Sequence, residues 1–137
     1  MSAELITASM LNVTGITNIV GNRRALGQLP QNTTMPALVY DVVSNVPKPN
    51  VAYQDGLQMA VARIQINPLA LSIGQVKSIH EAVRQALDFK HQVIVAGKLV
   101  ISCRFDSADG FEKDIGDTDS DLGIWTQSAD YILTYYE

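Results

Sequence analysis

Hydrophobic and polar positions alternate most cleanly over residues 57–67. Ala60, Ala62, Ile64 and Ile66 fall on one side, and Arg63, Gln65 and Asn67 on the other. A period of two marks a strand with one buried and one polar face, and Pro68 is expected to help end it. A second alternation starts at Leu99. Leu99, Ile101, Cys103 and Phe105 share one face, and Val100, Ser102, Arg104 and Asp106 the other. It belongs to a strand region over 93–106, with Ala96-Gly97 as a turn. Residues 124–136 read as one long strand with Trp125, Ala129, Tyr131, Leu133 and Tyr135 on one side. Residues 37–44, dense in Val, Leu and Tyr, predict another strand. Residues 23–29 predict a brief one, interrupted by Gly27.

The period changes in two places. Over 2–12, Leu5, Ala8 and Leu11 recur at helical spacing and predict a short N-terminal helix. Over 72–90, Ile73, Val76, Ile79, Val83 and Leu87 form one apolar stripe at steps of three and four, which predicts a long amphipathic helix. Ser72 and Gln75 have the spacing of a capping box, where each side chain satisfies the other's free backbone donor. Lys90 and His91 would sit where the helix dipole favours cations. Between Gly15 and Gly21, the stretch around Ile16 to Ile19 reads as a turn. Residues 30–36 read as a loop by their prolines and turn residues, residues 45–56 as a long exposed connection, and residues 107–123 as an acidic loop. The predicted fold is α+β: a mixed, largely antiparallel β-sheet, a long helix packed on one face, and a short N-terminal helix.

Size and composition narrow the picture. The 137 residues suit one domain, 1–137, and can form a core without staples. With 47% hydrophobic and 18% charged residues the chain is globular in character. A lone cysteine, Cys103, excludes an intrachain disulfide. No apolar stretch is long enough to span a bilayer, and the first residues lack the pattern of a signal peptide. A net charge of −4 argues against tight, charge-driven DNA binding.

Candidate chemistry centres on the run DIGDTDSDLG at 114–123, where Asp117, Asp119 and Asp121 alternate with small polar residues. In a calcium-loop frame these take the first, third and fifth positions. The sixth is Leu122 where the turn needs Gly, and the twelfth is Ser128 where a bidentate Glu should close the shell. The run therefore reads as a solvated acidic loop, with Asp117, Asp119 and Asp121 as candidate ligands only for a loosely held divalent ion. His80 and His91 lack the company of a zinc site. Cys103 reads as a small core residue rather than a nucleophile. No nucleophile elbow or phosphate-binding glycine loop is present. The terminal tyrosines, without interleaved cations, read as sheet packing rather than base-stacking residues. Neither a catalytic constellation nor a cofactor is expected. Function is expected to lie in contacts made by the loops, with Pro47, Pro49, Tyr53 and Asp55 as candidate contact residues.

One further signal is the order of segments. Ile19-Val20-Gly21-Asn22-Arg23 precedes a short strand. Leu29-Pro30-Gln31-Asn32-Thr33-Thr34-Met35-Pro36-Ala37-Leu38-Val39-Tyr40 follows. Then come Ala62-Arg63-Ile64-Gln65-Ile66-Asn67, the helix segment Ile79-His80-Glu81-Ala82-Val83-Arg84-Gln85-Ala86-Leu87, and the closing Ala129-Asp130-Tyr131-Ile132-Leu133-Thr134-Tyr135. From about residue 19 to 136 this order resembles the tail-completion, or tail-terminator, proteins of long-tailed bacteriophages and prophages.

That resemblance implies a structural virion protein and carries no catalytic residues. It implies a homo-oligomeric ring, generally six-fold, at the head-proximal end of the tail. The ring would stop polymerisation of the major tail tube protein and meet the head-connector or stopper protein. Assembly would occur in the host cytoplasm, away from membranes, and DNA would pass through the lumen without specific binding. Two expectations follow for this chain. Asp117, Asp119 and Asp121 would face the lumen or rim, where an acidic wall repels phosphates. The 45–56 connection would touch a neighbouring subunit or the tube. The alternatives are a head–tail connector or stopper subunit and, from another class, a small calcium-responsive binding module or enzyme built on the acidic loop.

Overall fold

The computed structural model describes residues 2–30, 33–48, 59–114 and 123–137. The elements run α1 (Ala3–Leu11), α2 (Thr14–Val20), β1 (Arg24–Leu26), β2 (Ala37–Lys48), β3 (Met59–Ala70), α3 (Ile73–Leu87), β4 (Lys90–Val95), β5 (Lys98–Ala108), β6 (Glu112–Asp114), β7 (Ile124–Thr126) and β8 (Ala129–Tyr136). One sheet has the order β1-β2-β3-β8-β5-β4, and the small β6–β7 pair joins it through β7 on β3. Only β1 and β2 pair in parallel; every other described pairing is antiparallel. The α+β class and the largely antiparallel sheet are as expected.

The core lies between the sheet and three helices on one face. From the sheet come Ala60, Ala62, Ile64 and Ile66 of β3, Tyr131, Leu133 and Tyr135 of β8, and Val100 and Cys103 of β5. Against them pack Val76, Ile79, Val83 and Leu87 of α3, with Ile6, Leu11, Ile16 and Val20 from α1 and α2. Helix α1 touches both β2 and β4, near opposite edges of the sheet. A nine-residue helix is only about 14 Å long, so the sheet curls around the helices.

Helix α3 has 15 residues and is shorter than the predicted 72–90. Ser72 caps it, its Oγ accepting the N–H of Gln75 at 3.2 Å, which is the Ser half of the expected capping box. Ile73 lies at the rim of the stripe rather than in the core. The helix stops at Leu87 because Asp88 turns extended and Phe89 takes φ 62°. Lys90 and His91 therefore open β4, and Arg84 is the cation of the last helical turn.

In α1 the buried face is Ala3, Ile6, Thr7, Met10 and Leu11. The predicted stripe through Leu5 is wrong, and Leu5 is 64% exposed. With apolar residues nearly all round, spacing alone could not choose the face. The predicted turn around Ile16 is helix α2, which buries Ile16 and Val20 and leaves Gly15 inside it. Gly21 at φ 57° then ends it, the conformation that favours glycine.

Strands differ from expectation mainly through bulges. β2 runs to Lys48, so the first part of the predicted 45–56 connection is strand paired with β3. β3 continues through Pro68 to Ala70. Its partner on one side changes from β8 at Ile66 to β7 at Leu69, and Pro68 falls in that gap, where a missing N–H is tolerated. In β5 the register shifts between Val100 and Ser102, so Val100 and Cys103 both point into the core while Leu99 is exposed. The simple alternation from Leu99 fails there because a bulge reverses the parity. The predicted last strand is two, β7 and β8. Ala96 (φ 51°) and Gly97 (φ 77°) form the expected β4–β5 turn, with the positive φ pair of a type I′ hairpin.

Candidate assembly surface

The second face of the sheet has no helix over it among the described residues. Residues opposite one another on paired strands share a face. On this face stand Ser44, Val46 and Lys48 of β2, Val61 and Arg63 of β3, and Ile132 and Thr134 of β8. β2 presents Val39 and Asp41, opposite Asn67 and Gln65, to this face in its first half and changes parity in its second. Leu38 and Tyr40 are buried, but the register slips between Val42 and Ser44, and after the slip the even-numbered residues point outward. Ser44, Val46, Lys48, Val61, Arg63 and Ile132 line a hollow of about 190 Å³ there.

Arg63 organises the face. Its guanidinium donates to Asp106 of β5 and Asp130 of β8, each at 2.9 Å. One cation thus ties three strands. The hydrogen bond from Arg63 holds Asp106 below the usual carboxylate range, and the Asp106 and Asp130 bonds raise Arg63 in turn. Being solvent-exposed, the cluster orders the face more than it stabilises the fold.

A second arrangement sits at the α3–β4 corner. The buried carboxylate of Asp88 accepts the N–H of Phe105 at 2.9 Å, the N–H of Phe89 at 3.1 Å and Arg84 Nε at 3.0 Å. Burial works against its charge, but these donors outweigh it and lower the pKa. They also hold Phe89, 77% exposed, in the left-handed region, a conformation that costs a bulky residue energy. Close by, His80 Nε2 lies 2.7 Å from the carbonyl of Gln127 and, as the ring donates there, ties α3 to the β7–β8 turn. Burial lowers the pKa of His80. Cys103 is a core residue as expected, its thiol pushed up to about 12 by burial.

Of the sequence-predicted contact residues, Pro47 is exposed near the end of β2, opposite Ala60. Pro49, Tyr53 and Asp55 lie outside the described residues, as do Asp117, Asp119 and Asp121 of the acidic run. Among the described residues no three His, Cys, Asp or Glu side chains gather as a metal site would require. The Arg63 cluster was missed because sequence shows three charges on polar faces but not the register that brings them together. Phe89 was missed because it lay inside the predicted helix end.

The sequence matches the family described as "Tail completion protein gp17" over residues 4–129. The chain belongs to this tail completion family. No curated protein matches the sequence. Among solved structures, a chain from "Virion of native gene transfer agent (GTA) particle" is similar in fold, with TM-score 0.69 at 11% identity, covering 98% of this chain and 97% of that one. The protein is thus a structural tail protein of phage type with a fold that recurs at full length despite little shared sequence.

Proposed function

We propose that this protein is the terminator of a phage-type tail: a ring, six-fold, that caps the head-proximal end of the tube, stops its growth and presents the joining surface to the head connector. Membership of the tail completion family carries this reading. The fold shared with a virion chain supports it, as does a sheet face left uncovered among the described residues. Its partners are other copies of itself, the major tail tube protein and the connector or stopper. Its work is assembly, without catalysis. Pro47, with Pro49, Tyr53 and Asp55 beyond it, lies on the side that meets a neighbour or the tube. Asp117, Asp119 and Asp121 face the lumen or rim, where carboxylates keep passing DNA from sticking.

The decisive measurement is mass by light scattering with negative-stain images, alone and with isolated tail tubes. Closed six-membered rings seated on tube ends are expected. A monomer that leaves tubes uncapped overturns the reading, and capping of filled heads instead would make the chain a connector or stopper. A ring structure with the acidic run on its outer wall would overturn the lumen assignment. Tight calcium binding lost in Asp117→Ala and Asp119→Ala would favour the calcium-module alternative.

A further inference from the structure

The sheet has two edges with free backbone among the described residues. At one, β4 pairs only with β5, so its outer side is open over Lys90–Val95. At the other, β1 covers β2 only at Leu38, Val39 and Tyr40, and the Gly27 N–H reaches the Tyr40 carbonyl as the last bond of that ladder. From Asp41 to the end of β2 at Lys48 the outer side is open. Open edges of this length are templates for another strand. Both carry exposed apolar side chains: Phe89 and Ile94 (76%) along β4, Val43 and Val46 (48%) along β2.

Strand sense decides how they can meet. Passing from β2 through β3, β8 and β5 to β4, each step is antiparallel. Four reversals leave β4 running in the same sense as β2. Copies related head to tail keep that sense, so β4 of one copy meets β2 of the next in parallel. The β2 edge already takes a parallel partner in its first half, which is β1. Face parity agrees. Ile94 lies opposite Leu99 and His91 opposite Ser102, and Ser102 shares the uncovered face with Thr134. Leu99 adjoins the core-facing Val100 and so points outward, which places Ile94 on the same face as Val46, whose side chain lines the hollow with Val61 and Ile132.

We infer that a second copy of this chain docks there: the β4 edge of one protomer lies parallel to residues 41–48 of the next, with Ile94 against Val46, in a head-to-tail contact. Such a contact uses two different patches, so it propagates until a rotation closes it. The inference deepens the ring reading and rests on it for closure, though not for the contact itself.

Cysteine pairing tests it. Ile94→Cys and Val46→Cys are made singly and together; Cys103 is buried and does not compete. Adjacent strands bring such pairs within disulfide reach, and a short bismaleimide covers a small register slip. The double variant is expected to give a covalent ladder on denaturing gels. Each single variant alone is expected to give no covalent dimer, and an equimolar mixture of the two to give dimers and nothing larger. Ile94→Lys in the full chain is expected to weaken self-association at least tenfold while leaving the unfolding midpoint unchanged. Covalent dimers from a single variant would mean a two-fold contact and overturn the inference. Rings by light scattering with no ladder would overturn the edge contact and leave the ring standing. A ladder without closed rings would do the reverse. A monomer with no links at high concentration would overturn both.

Discussion

On β3, Ala60, Ala62, Ile64 and Ile66 are sealed beneath the helices. Val61, Arg63, Gln65 and Asn67, each one position along, are half-buried and face outward. The same backbone thus serves two purposes. The inner set contributes to folding through apolar area removed from water. The outer set is polar enough to stay in solution and ordered enough, through Arg63, Asp106 and Asp130, to offer a defined surface. The inner positions answer to this chain alone, while on the function proposed above the outer ones answer to whatever it assembles with.

That division can be broken by substitution, and the largest effect belongs to the inner set. Ile64→Ala, at a fully buried site, is expected to cost about 2–5 kcal/mol in denaturant unfolding. A value near zero would mean that the helices do not seal that face. Next comes Asp88→Asn at the end of α3, where weakened hydrogen bonds to a charged, buried acceptor should cost about 1–3 kcal/mol.

Asp88 also sets a pH dependence. Its folded pKa is lowered, so its contribution is complete above the ordinary carboxylate value and lost as pH falls through the depressed one. The wild-type unfolding midpoint should drop over that acid range, and that drop should be smaller in the Asn variant. His80 acts in the same direction at higher pH. Its folded pKa is lowered by burial, so stability begins to fall below about pH 6.5 as the unfolded chain takes up the proton.

Smaller still is Ser72→Ala, which removes the cap of α3 and should cost about 1 kcal/mol. The smallest effect on stability is expected for Arg63→Gln: no resolvable change in unfolding midpoint, but weaker self-association or tube capping by sedimentation. A large loss of stability there would erase the distinction between the two faces.

Much of the covered face was legible in the sequence. The period-two run through Ala60, Ala62, Ile64 and Ile66, and the stripe through Val76, Ile79, Val83 and Leu87, name its centre, because burial on one face leaves a periodic trace. The uncovered face was legible only as the polar side of one strand, Arg63, Gln65 and Asn67, and its arrangement was not, for two physical reasons. Register is a relation between strands, so Arg63 shows no sign of Asp106 or Asp130 until the strands are side by side. Bulges insert one residue without changing local composition, so alternation alone puts Val100 on the face opposite Cys103 and gives no sign that Val46 belongs to the strand of Val42. Helix α2 was hidden by Gly15 within it and Gly21 at its end, whose local preference was overridden by the burial of Ile16 and Val20.

The slip in β2 near Val43 has a consequence of its own. Leu38, Tyr40, Val42, Ser44 and Val46 stand on one parity in the sequence, yet the first three turn toward the core and the last two away from it. A single residue acts as a phase shifter along the strand. Deleting it would straighten the strand and leave Val46 outward, three positions from Val42, whereas flattening the bulge with the residue kept would turn Val46 inward and Asn45, whose amide donates to the Tyr135 hydroxyl at 2.8 Å, outward. Upstream of that point, change in the chain is bound by packing. Downstream, a one-residue insertion or deletion that keeps the bulge would exchange the inward and outward residues at the strand's end while Leu38, Tyr40 and Val42 keep their places.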